Sequence, residues 1–211
     1  MRLVIVANET MKEELLSSGK TDGIIIDWVS SAEALSSYPD ADAFIDLLFE
    51  QNGSDDKILK QFLPKAVIVN SIVKTIEEIG QPFIRINGWP TFLKRKIVEA
   101  SCKQGVDKAI AEKIFASLNR KVEWVPDVPG FISARVVSMI INEAYFAFSE
   151  KVSSKEEIDA AMKLGTNYPY GPFEWAKKIG LKNIHSLLTQ KSNAEKRYHP
   201  AILLTKEAIE S

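Results

Sequence analysis

The sequence predicts an α/β domain built on a parallel sheet, followed by an all-helical domain. Two observations support this prediction: short apolar runs alternate with helical patterns through residues 1–126, and no strand pattern follows Gly130. Strands separated by short helices are typical of parallel sheets made from right-handed crossover units. We therefore expect one domain at residues 1–126 and a second at residues 127–211.

The strands of the first domain are predicted from apolar runs, as expected for strands covered on both faces. They are Leu3–Ala7, Gly23–Val29, Ala43–Phe49, Lys65–Asn70, Phe83–Asn87 and Val122–Val125. Helical patterns lie between them; Gly19 ends the first, Ser31 starts the second and Pro64 follows the third. The predicted helices are Thr10–Ser18, Ser31–Leu35, Asp55–Phe62 and Val106–Leu118.

The second domain opens with a long and almost wholly apolar helix. The predicted helices are Phe131–Glu150, Lys155–Leu164 after a start signal at Ser153 and Ser154, Phe173–Ile179, Ile184–Leu188 and Ala201–Ile209. The first helix carries one polar stripe, formed by Arg135, Ser138, Asn142 and Ser149. A helix that is apolar nearly all round is buried, so the stripe faces a polar cleft or a partner subunit, or else it reaches solvent at the domain edge.

Composition excludes several classes of protein. An apolar fraction of 45% in 211 residues is that of a globular chain, and a net charge of -1 gives no field for nucleic acid or an anionic membrane. The single Cys102 allows no internal disulfide, which fits a reducing compartment. The N-terminus resembles a strand and not a signal peptide, and no apolar run is long enough to cross a bilayer. We expect a soluble, cytoplasmic protein.

A metal site is not predicted. The two histidines, His185 and His199, have neither a cysteine nor a further histidine at ligand spacing. Their neighbours also lack the arrangement of a nucleophile and its base.

Ordered motifs of the second domain carry a family resemblance. They are Asp127-x-Pro129-Gly130-Phe131-x-x-x-Arg135, Asn142-Glu143-Ala144, Ile158-Asp159-x-Ala161-Met162-x-x-Gly165 and Gly171-Pro172-Phe173-Glu174. Together they resemble the C-terminal domain of L-3-hydroxyacyl-CoA dehydrogenases. In the first domain, Ala41–Glu50 and Lys96–Glu99 resemble the same family, and the chain is shortened between Asp27 and Ala41.

The resemblance implies a shortened Rossmann-like α/β domain followed by the family's all-α domain. It also implies NAD as cofactor, hydride transfer from the 3-hydroxyl carbon of an acyl-CoA, and a homodimer paired through the helical domain. A place in fatty acid metabolism follows from the same likeness.

The phosphate-binding loop of the family is glycine-rich and follows the first strand, because only glycine lets the backbone approach the pyrophosphate. The matching stretch here is Ala7–Lys12, which contains no glycine. Glu9 would bring a carboxylate near the phosphates; two like charges at 4 Å repel by roughly 4 kcal/mol at an effective dielectric of about 20. Asn8 and Thr10 are instead suited to cap the helix. Asp27, at the end of the second strand, matches an acid that binds the adenosine ribose.

The resemblance places Asn87 at the position of the family's general-base histidine and Glu99 at its carboxylate partner. An amide cannot accept a hydroxyl proton near pH 7, so general-base catalysis is expected to be lost. Two roles remain open for Glu99: the orienting partner of the family, or an ion pair on the surface with Lys94, Arg95 or Lys96.

The other polar positions of the family are only partly kept. Asn70 matches an asparagine at the end of the fourth strand. The substrate-binding serine falls at Ile72, or at Ser71 after a one-residue slip, and Arg135 is retained for the substrate cleft.

Three functional hypotheses follow. The first is a 3-hydroxyacyl-CoA dehydrogenase-related protein without hydride transfer, which binds an acyl-CoA-like ligand or a modified nucleotide, or serves as a dimeric structural unit. The second is an active NAD(P)-dependent oxidoreductase with a rearranged site, in which Tyr168, Tyr170 or Lys74 supplies a proton. The third is a purely structural homodimer. NAD enters only through the resemblance.

Overall fold

The computed structural model describes residues 1–19, 21, 23–53 and 56–210. The chain forms two compact units, Met1–Phe131 and Ile132–Ser211. The loop after residue 126, which the sequence analysis gave to the helical domain, is part of the first unit. Asp55, the start of one predicted helix, lies outside the described residues, and the 3-10 helix Leu59–Phe62 follows it.

Within the described part of the first unit, the strands form one seven-stranded sheet in the order β2-β1-β3-β4-β5-β6-β7. Neighbouring strands run parallel except β5 and β6, which are antiparallel. The strands are β1 Arg2–Val6, β2 Ile25–Val29, β3 Ala43–Asp46, β4 Ala66–Asn70, β5 Ile84–Ile86, β6 Ile97–Ser101 and β7 Lys121–Trp124. The expected α/β fold is confirmed, whereas β6 was not predicted.

Among the described residues, the sheet has no equivalent of the third strand of the doubly wound order 3-2-1-4-5-6. After β2 the chain passes through the 3-10 helix Glu33–Ser37 and enters β3, which pairs on the opposite side of β1. The segment 30–42 thus replaces a crossover helix and a strand. This is the structural form of the shortening seen between Asp27 and Ala41.

Both faces of the sheet are buried, because successive strand residues point to opposite sides. Leu3 and Ile5 belong to the core beneath the two longer helices of this unit, whereas Val4 and Val6 belong to the core beneath the 3-10 helices. The α-helices of this unit are α1 Glu9–Leu16, α2 Ile76–Ile79 and α3 Lys108–Ser117. The predicted cap of α1 is confirmed: the Asn8 side chain accepts a hydrogen bond from the Met11 N–H at 2.9 Å.

The second unit is helical throughout its regular structure. Its α-helices are α4 Ser133–Ser149, α5 Lys155–Thr166, α6 Pro172–Ile179, α7 Leu181–Ser192 and α8 Ile202–Glu210. The long helix α4 packs against α6, α7 and α8, so it forms the centre of this unit. None of the helices in the described parts of the chain is both long and apolar enough to span a membrane.

One contact explains why two of the quoted motifs occur together. The buried Asp159 carboxylate accepts hydrogen bonds from the N–H groups of Phe173 at 2.8 Å and Glu174 at 3.1 Å, and so caps α6. A Cβ atom at Gly171 would lie 2.3 Å from the Asp159 Oδ1 atom. The Asp159 carboxylate can therefore occupy its capping position only because residue 171 is a glycine.

The middle of the polar stripe on α4 is buried within the second unit. Ser138 and Asn142 are buried. The Asn142 Nδ2 donates to the His199 carbonyl oxygen at 2.9 Å, and its Oδ1 accepts from the Ala201 N–H at 2.8 Å. The stripe anchors the segment before α8 in the same unit, and only Ser149, at the helix end, is exposed.

Candidate functional site

Four polar side chains collect at one edge of the sheet in the first unit. Asp46, Asn70 and Asn87 lie at or just beyond the carboxyl ends of the parallel strands β3, β4 and β5. Because β6 runs antiparallel to β5, with Ile86 opposite Ala100, its residue Glu99 reaches the same edge. All four are buried. In open α/β sheets this edge is where ligands bind.

Asn87 and Glu99 form a hydrogen-bonded pair. The Asn87 Nδ2 donates to the Glu99 Oε2 at 2.8 Å, and the Asn87 backbone N–H donates to the Glu99 carbonyl oxygen at 3.1 Å. Glu99 is 8% exposed. It therefore lies beside Asn87, in the position expected for the orienting partner of the family.

The pairing fixes which atom of Asn87 remains for other partners. A carboxylate only accepts hydrogen bonds, so the amide must turn its nitrogen towards Glu99 and its oxygen away. The Asn87 Oδ1 atom is buried and has no hydrogen-bond partner within the described residues. A buried acceptor without a donor costs about 1–3 kcal/mol. The site thus holds an unpaired hydrogen-bond acceptor at the position that the resemblance assigned to the family's base.

Asn70 joins the ends of three strands. Its Nδ2 donates to the carbonyl oxygens of Leu47 at 2.9 Å and Gly88 at 3.3 Å, and its Oδ1 accepts from the Gly88 N–H at 2.9 Å. A Cβ atom at residue 88 would lie 2.8 Å from the Asn70 Cγ, so glycine is needed there. These bonds engage the amide with the backbone, at the position for which a cofactor contact was expected.

Ser71 is also engaged internally. It is fully buried, and its Oγ donates to the Lys74 carbonyl oxygen at 3.0 Å. The Glu50 carboxylate accepts from the N–H groups of Ile72 at 3.0 Å and Val73 at 2.6 Å. Burial raises the pKa of the Glu50 carboxyl, and these backbone donors oppose the rise. Sequence reasoning missed this role of Glu50, since the partners are more than twenty residues away.

Asp46 is the second acid that the sequence analysis missed. It closes the apolar run of β3 and is 2% exposed. Its Oδ1 accepts from the Leu48 N–H at 2.9 Å. Burial raises the pKa of this carboxyl from 3.8 to about 6, despite the hydrogen bonds from the following backbone. The available signal was a lone carboxylate within the apolar run Ala43–Phe49, which the structure resolves into a strand that ends at Asp46.

The loop after β1 does not fit an NAD pyrophosphate. The Met11 N–H, one of the helix donors that would face a phosphate, is already satisfied by Asn8. Glu9 begins the helix with a carboxylate whose side chain is 85% exposed, and Lys12 lies 3.8 Å from it. The N-terminus of α1 therefore already carries one negative charge at the place where the NAD pyrophosphate would add two more.

Asp27 is engaged within the sheet. It lies inside β2, and its Oδ2 accepts from the Arg2 Nε at 2.7 Å. This bond to Asp27 raises the pKa of Arg2. The carboxylate is thus paired with the neighbouring strand at the position for which a ribose contact was expected.

Arg135 belongs to the second unit, where its Nε donates to the Tyr198 hydroxyl and its Nη2 lies 4.0 Å from the Glu195 Oε1. The tyrosines considered as alternative proton donors, Tyr168 and Tyr170, pack against the Trp175 ring. Across the described residues, no cluster of three or more His, Cys, Asp or Glu side chains could hold a metal ion.

A buried arginine explains one further motif. Arg85 is fully buried, and its Nη1 donates to the Asp127 Oδ1 at 2.7 Å. Its Nη2 donates to the Val128 carbonyl oxygen at 2.6 Å, and its Cζ lies 4.1 Å from the centre of the Phe131 ring. The Asp127 Oδ2 accepts from the Ile76 N–H at 2.8 Å. These contacts hold the turn before the second unit against the sheet, which is why the loop belongs to the first unit.

The sheet with its polar carboxyl edge, followed by a helical unit, defines a Rossmann-like protein with an all-α C-terminal domain. Comparison with known proteins identifies the family. The sequence model of the 3-hydroxyacyl-CoA dehydrogenase C-terminal domain matches residues 130–210. A 3-hydroxybutyryl-CoA dehydrogenase of Bradyrhizobium diazoefficiens is 30% identical, and the match covers 95% of this chain and 73% of that protein. The chain therefore belongs to the 3-hydroxyacyl-CoA dehydrogenase family, and the resemblance stated from the motifs is confirmed.

Other relatives match different portions. The 3-hydroxyadipyl-CoA dehydrogenase of Escherichia coli is 44% identical over 92 residues, which cover 43% of this chain and 19% of that protein. The crystal structure of (S)-3-hydroxybutyryl-CoA dehydrogenase from Ralstonia eutropha has a TM-score of 0.77 at 23% identity and covers 99% of this chain and 93% of that chain. This likeness extends the shared fold across both units.

Proposed function

We propose that this member of the family binds an acyl-CoA-like ligand and does not transfer hydride. The observation that carries the proposal is the pair formed by Asn87 and Glu99, in which an amide occupies the position of the family's general base. An amide neither removes the hydroxyl proton nor stores it as a cation near pH 7. Without that step a 3-hydroxyl group can be bound but not oxidised.

The residues around the nucleotide position support the same proposal. Glu9 adds a carboxylate at the start of α1, Asn8 satisfies a helix donor, and Asp27 is paired with Arg2. The two residues of the loop weaken phosphate contacts on which a dinucleotide depends, and the acid that matches the family's ribose ligand is engaged by Arg2. A binding role explains why the family's packing residues persist while its chemical residues differ.

A homodimer through the second unit is part of the proposal. Large apolar side chains are exposed on its helices, with Leu164 at 88%, Ile202 at 86% and Ile209 at 73%. Burying such side chains on a second copy would remove apolar area from water at about 25 cal/mol per Å². We expect light scattering to report a dimer at a concentration of about tens of micromolar, and Ile202→Glu to shift it towards monomer. The lone Cys102 is consistent with a reducing compartment such as the cytoplasm.

Calorimetric titration tests the binding proposal. We expect heat of binding with (S)-3-hydroxybutyryl-CoA, no binding of NADH, and no formation of NADH from NAD and the hydroxyacyl-CoA at high enzyme concentration. An active family member assayed in parallel controls for the substrates. NADH binding together with turnover would refute the proposal and favour an oxidoreductase with a rearranged site.

A further inference from the structure

The Asn87 amide is held in one orientation by Glu99, with its oxygen on the side away from that residue. Its nitrogen is held by the Glu99 carboxylate at 2.8 Å, and its backbone N–H is held by the Glu99 carbonyl oxygen at 3.1 Å. Turning the amide over would place its oxygen against the carboxylate, two acceptors with no proton between them. The outward position of Oδ1 is therefore determined by Glu99.

The groups next to Asn87 use their donors elsewhere. The Gly88 N–H donates to the Asn70 Oδ1 at 2.9 Å, and the Asn70 Nδ2 donates to the carbonyl oxygens of Leu47 and Gly88. The Asn87 Oδ1 is buried and has no partner within the described residues. Since buried polar atoms in folded proteins nearly always have a partner, this oxygen is a candidate acceptor for a donor outside the described residues.

From this geometry we infer that the Asn87 site recognises the 3-hydroxy form of an acyl-CoA-like ligand and rejects the 3-oxo form. The inference rests on the proposed function and adds its selectivity. A hydroxyl group can donate to the Asn87 Oδ1, whereas a ketone oxygen has only lone pairs to offer. The second hydrogen on Nδ2 could reach a ketone only with Oδ1 still unpaired. The ketone form leaves a buried acceptor without a donor.

This selectivity is what separates a binding site from a redox site. An imidazole accepts a proton from the hydroxyl and then donates it to the ketone, so one side chain serves both oxidation states. The Asn87 amide keeps the same outward atom throughout. A site of this kind holds one oxidation state of the ligand.

The test compares three ligands that differ only at carbon 3. Wild-type protein without nucleotide is titrated calorimetrically with (S)-3-hydroxybutyryl-CoA, butyryl-CoA and acetoacetyl-CoA. We expect the hydroxy ligand to bind at least about tenfold more tightly than acetoacetyl-CoA, with butyryl-CoA in between or equal to the latter. Butyryl-CoA separates the missing donor from any effect of size.

Two variants assign the selectivity to Asn87. Asn87→Leu removes the acceptor, and Asn87→His keeps a donor for Glu99 while allowing the outward nitrogen to accept or donate. Asn87→Leu is expected to bring the ratio of the two dissociation constants close to one. In Asn87→His the outward nitrogen accepts when the ring is neutral and donates when it is protonated, so the ratio is expected to persist at about pH 8 and to approach one at about pH 5.5. Asn193→Leu, the same substitution at an exposed position in the second unit, controls for the change and should leave the ratio as in wild type. Circular dichroism verifies folding, and Asn87→His carries the test where Asn87→Leu does not fold.

The outcomes distinguish the inference from the proposed function. If no acyl-CoA binds to wild-type protein, the proposed function fails and the inference with it. If acyl-CoA esters bind but the hydroxy and oxo forms bind equally, or the oxo form binds better, the inference alone is wrong. A ratio that persists in a folded Asn87→Leu variant, or that does not change with pH in Asn87→His, also overturns it.

Discussion

Asp46 gives the protein a pH-dependent stability that can be worked out from its burial. The pKa of this carboxyl rises from 3.8 to about 6 in the folded state. One pKa unit corresponds to about 1.4 kcal/mol, so the ionised form costs the folded state about 3 kcal/mol as an upper value. Because the folded protein binds the proton more strongly than the unfolded chain, stability falls as pH rises through this interval and is constant above it. Asp46→Asn cannot ionise and should lack this fall.

The assay is urea unfolding followed by circular dichroism at about pH 4 and about pH 7.5. The stability of Asp46→Asn minus that of wild type should increase by about 2–3 kcal/mol between the two pH values. Replacing one oxygen by an NH₂ group also changes the free energy of unfolding by an amount that does not depend on pH. This amount cancels when the two pH values are compared. Asp40→Asn removes one charge at an exposed position and controls for net charge. If the difference between Asp46→Asn and wild type is the same at both pH values, the assigned cause of the pKa shift is wrong.

Two further predictions concern the contacts that link motif residues. Arg85→Met leaves Asp127 without its guanidinium and should cost about 3–5 kcal/mol in urea unfolding, and a loss below about 1 kcal/mol would contradict the role given to this pair. Gly171→Ala forces the Asp159 carboxylate off the α6 cap and should cost about 1–3 kcal/mol, whereas Gly165→Ala, with open space around its Cβ, should stabilise by up to about 1 kcal/mol. Equal effects of the two alanines would refute the steric argument.

The sequence predicted most strands of the sheet because they are apolar runs, but β6 escaped detection. Ile97–Ser101 has a carboxylate at its centre and an exposed Ile97, and it becomes a strand only by pairing with β5 and β7. The short helix α2 was also missed, although its sequence contains the spacing of a capping box, which Thr75 and Glu78 form in the structure. Strand order could not be predicted, since periodicity carries no information about which strands become neighbours.

The candidate site was predictable in its positions and not in its contacts. The family spacing placed Asn87 and Glu99 together, and the structure adds the hydrogen bond and its direction. The bond from Asn70 to Leu47 and the bond from Ile72 to Glu50 join residues more than twenty apart. Such contacts exist only once the sheet has formed.

The shortened sheet ends at β2, which pairs only with β1 among the described strands. A free strand edge offers a row of backbone donors and acceptors to any other chain, and so invites aggregation. Asp27 stands at the middle of this strand, between Ile26 and Trp28, with its carboxylate tied to Arg2. A charge in that position hinders the addition of another strand, because the incoming chain would strip water from it. Asp27, which the family resemblance linked to a ribose, thus protects the exposed edge of the shortened sheet against pairing with another chain.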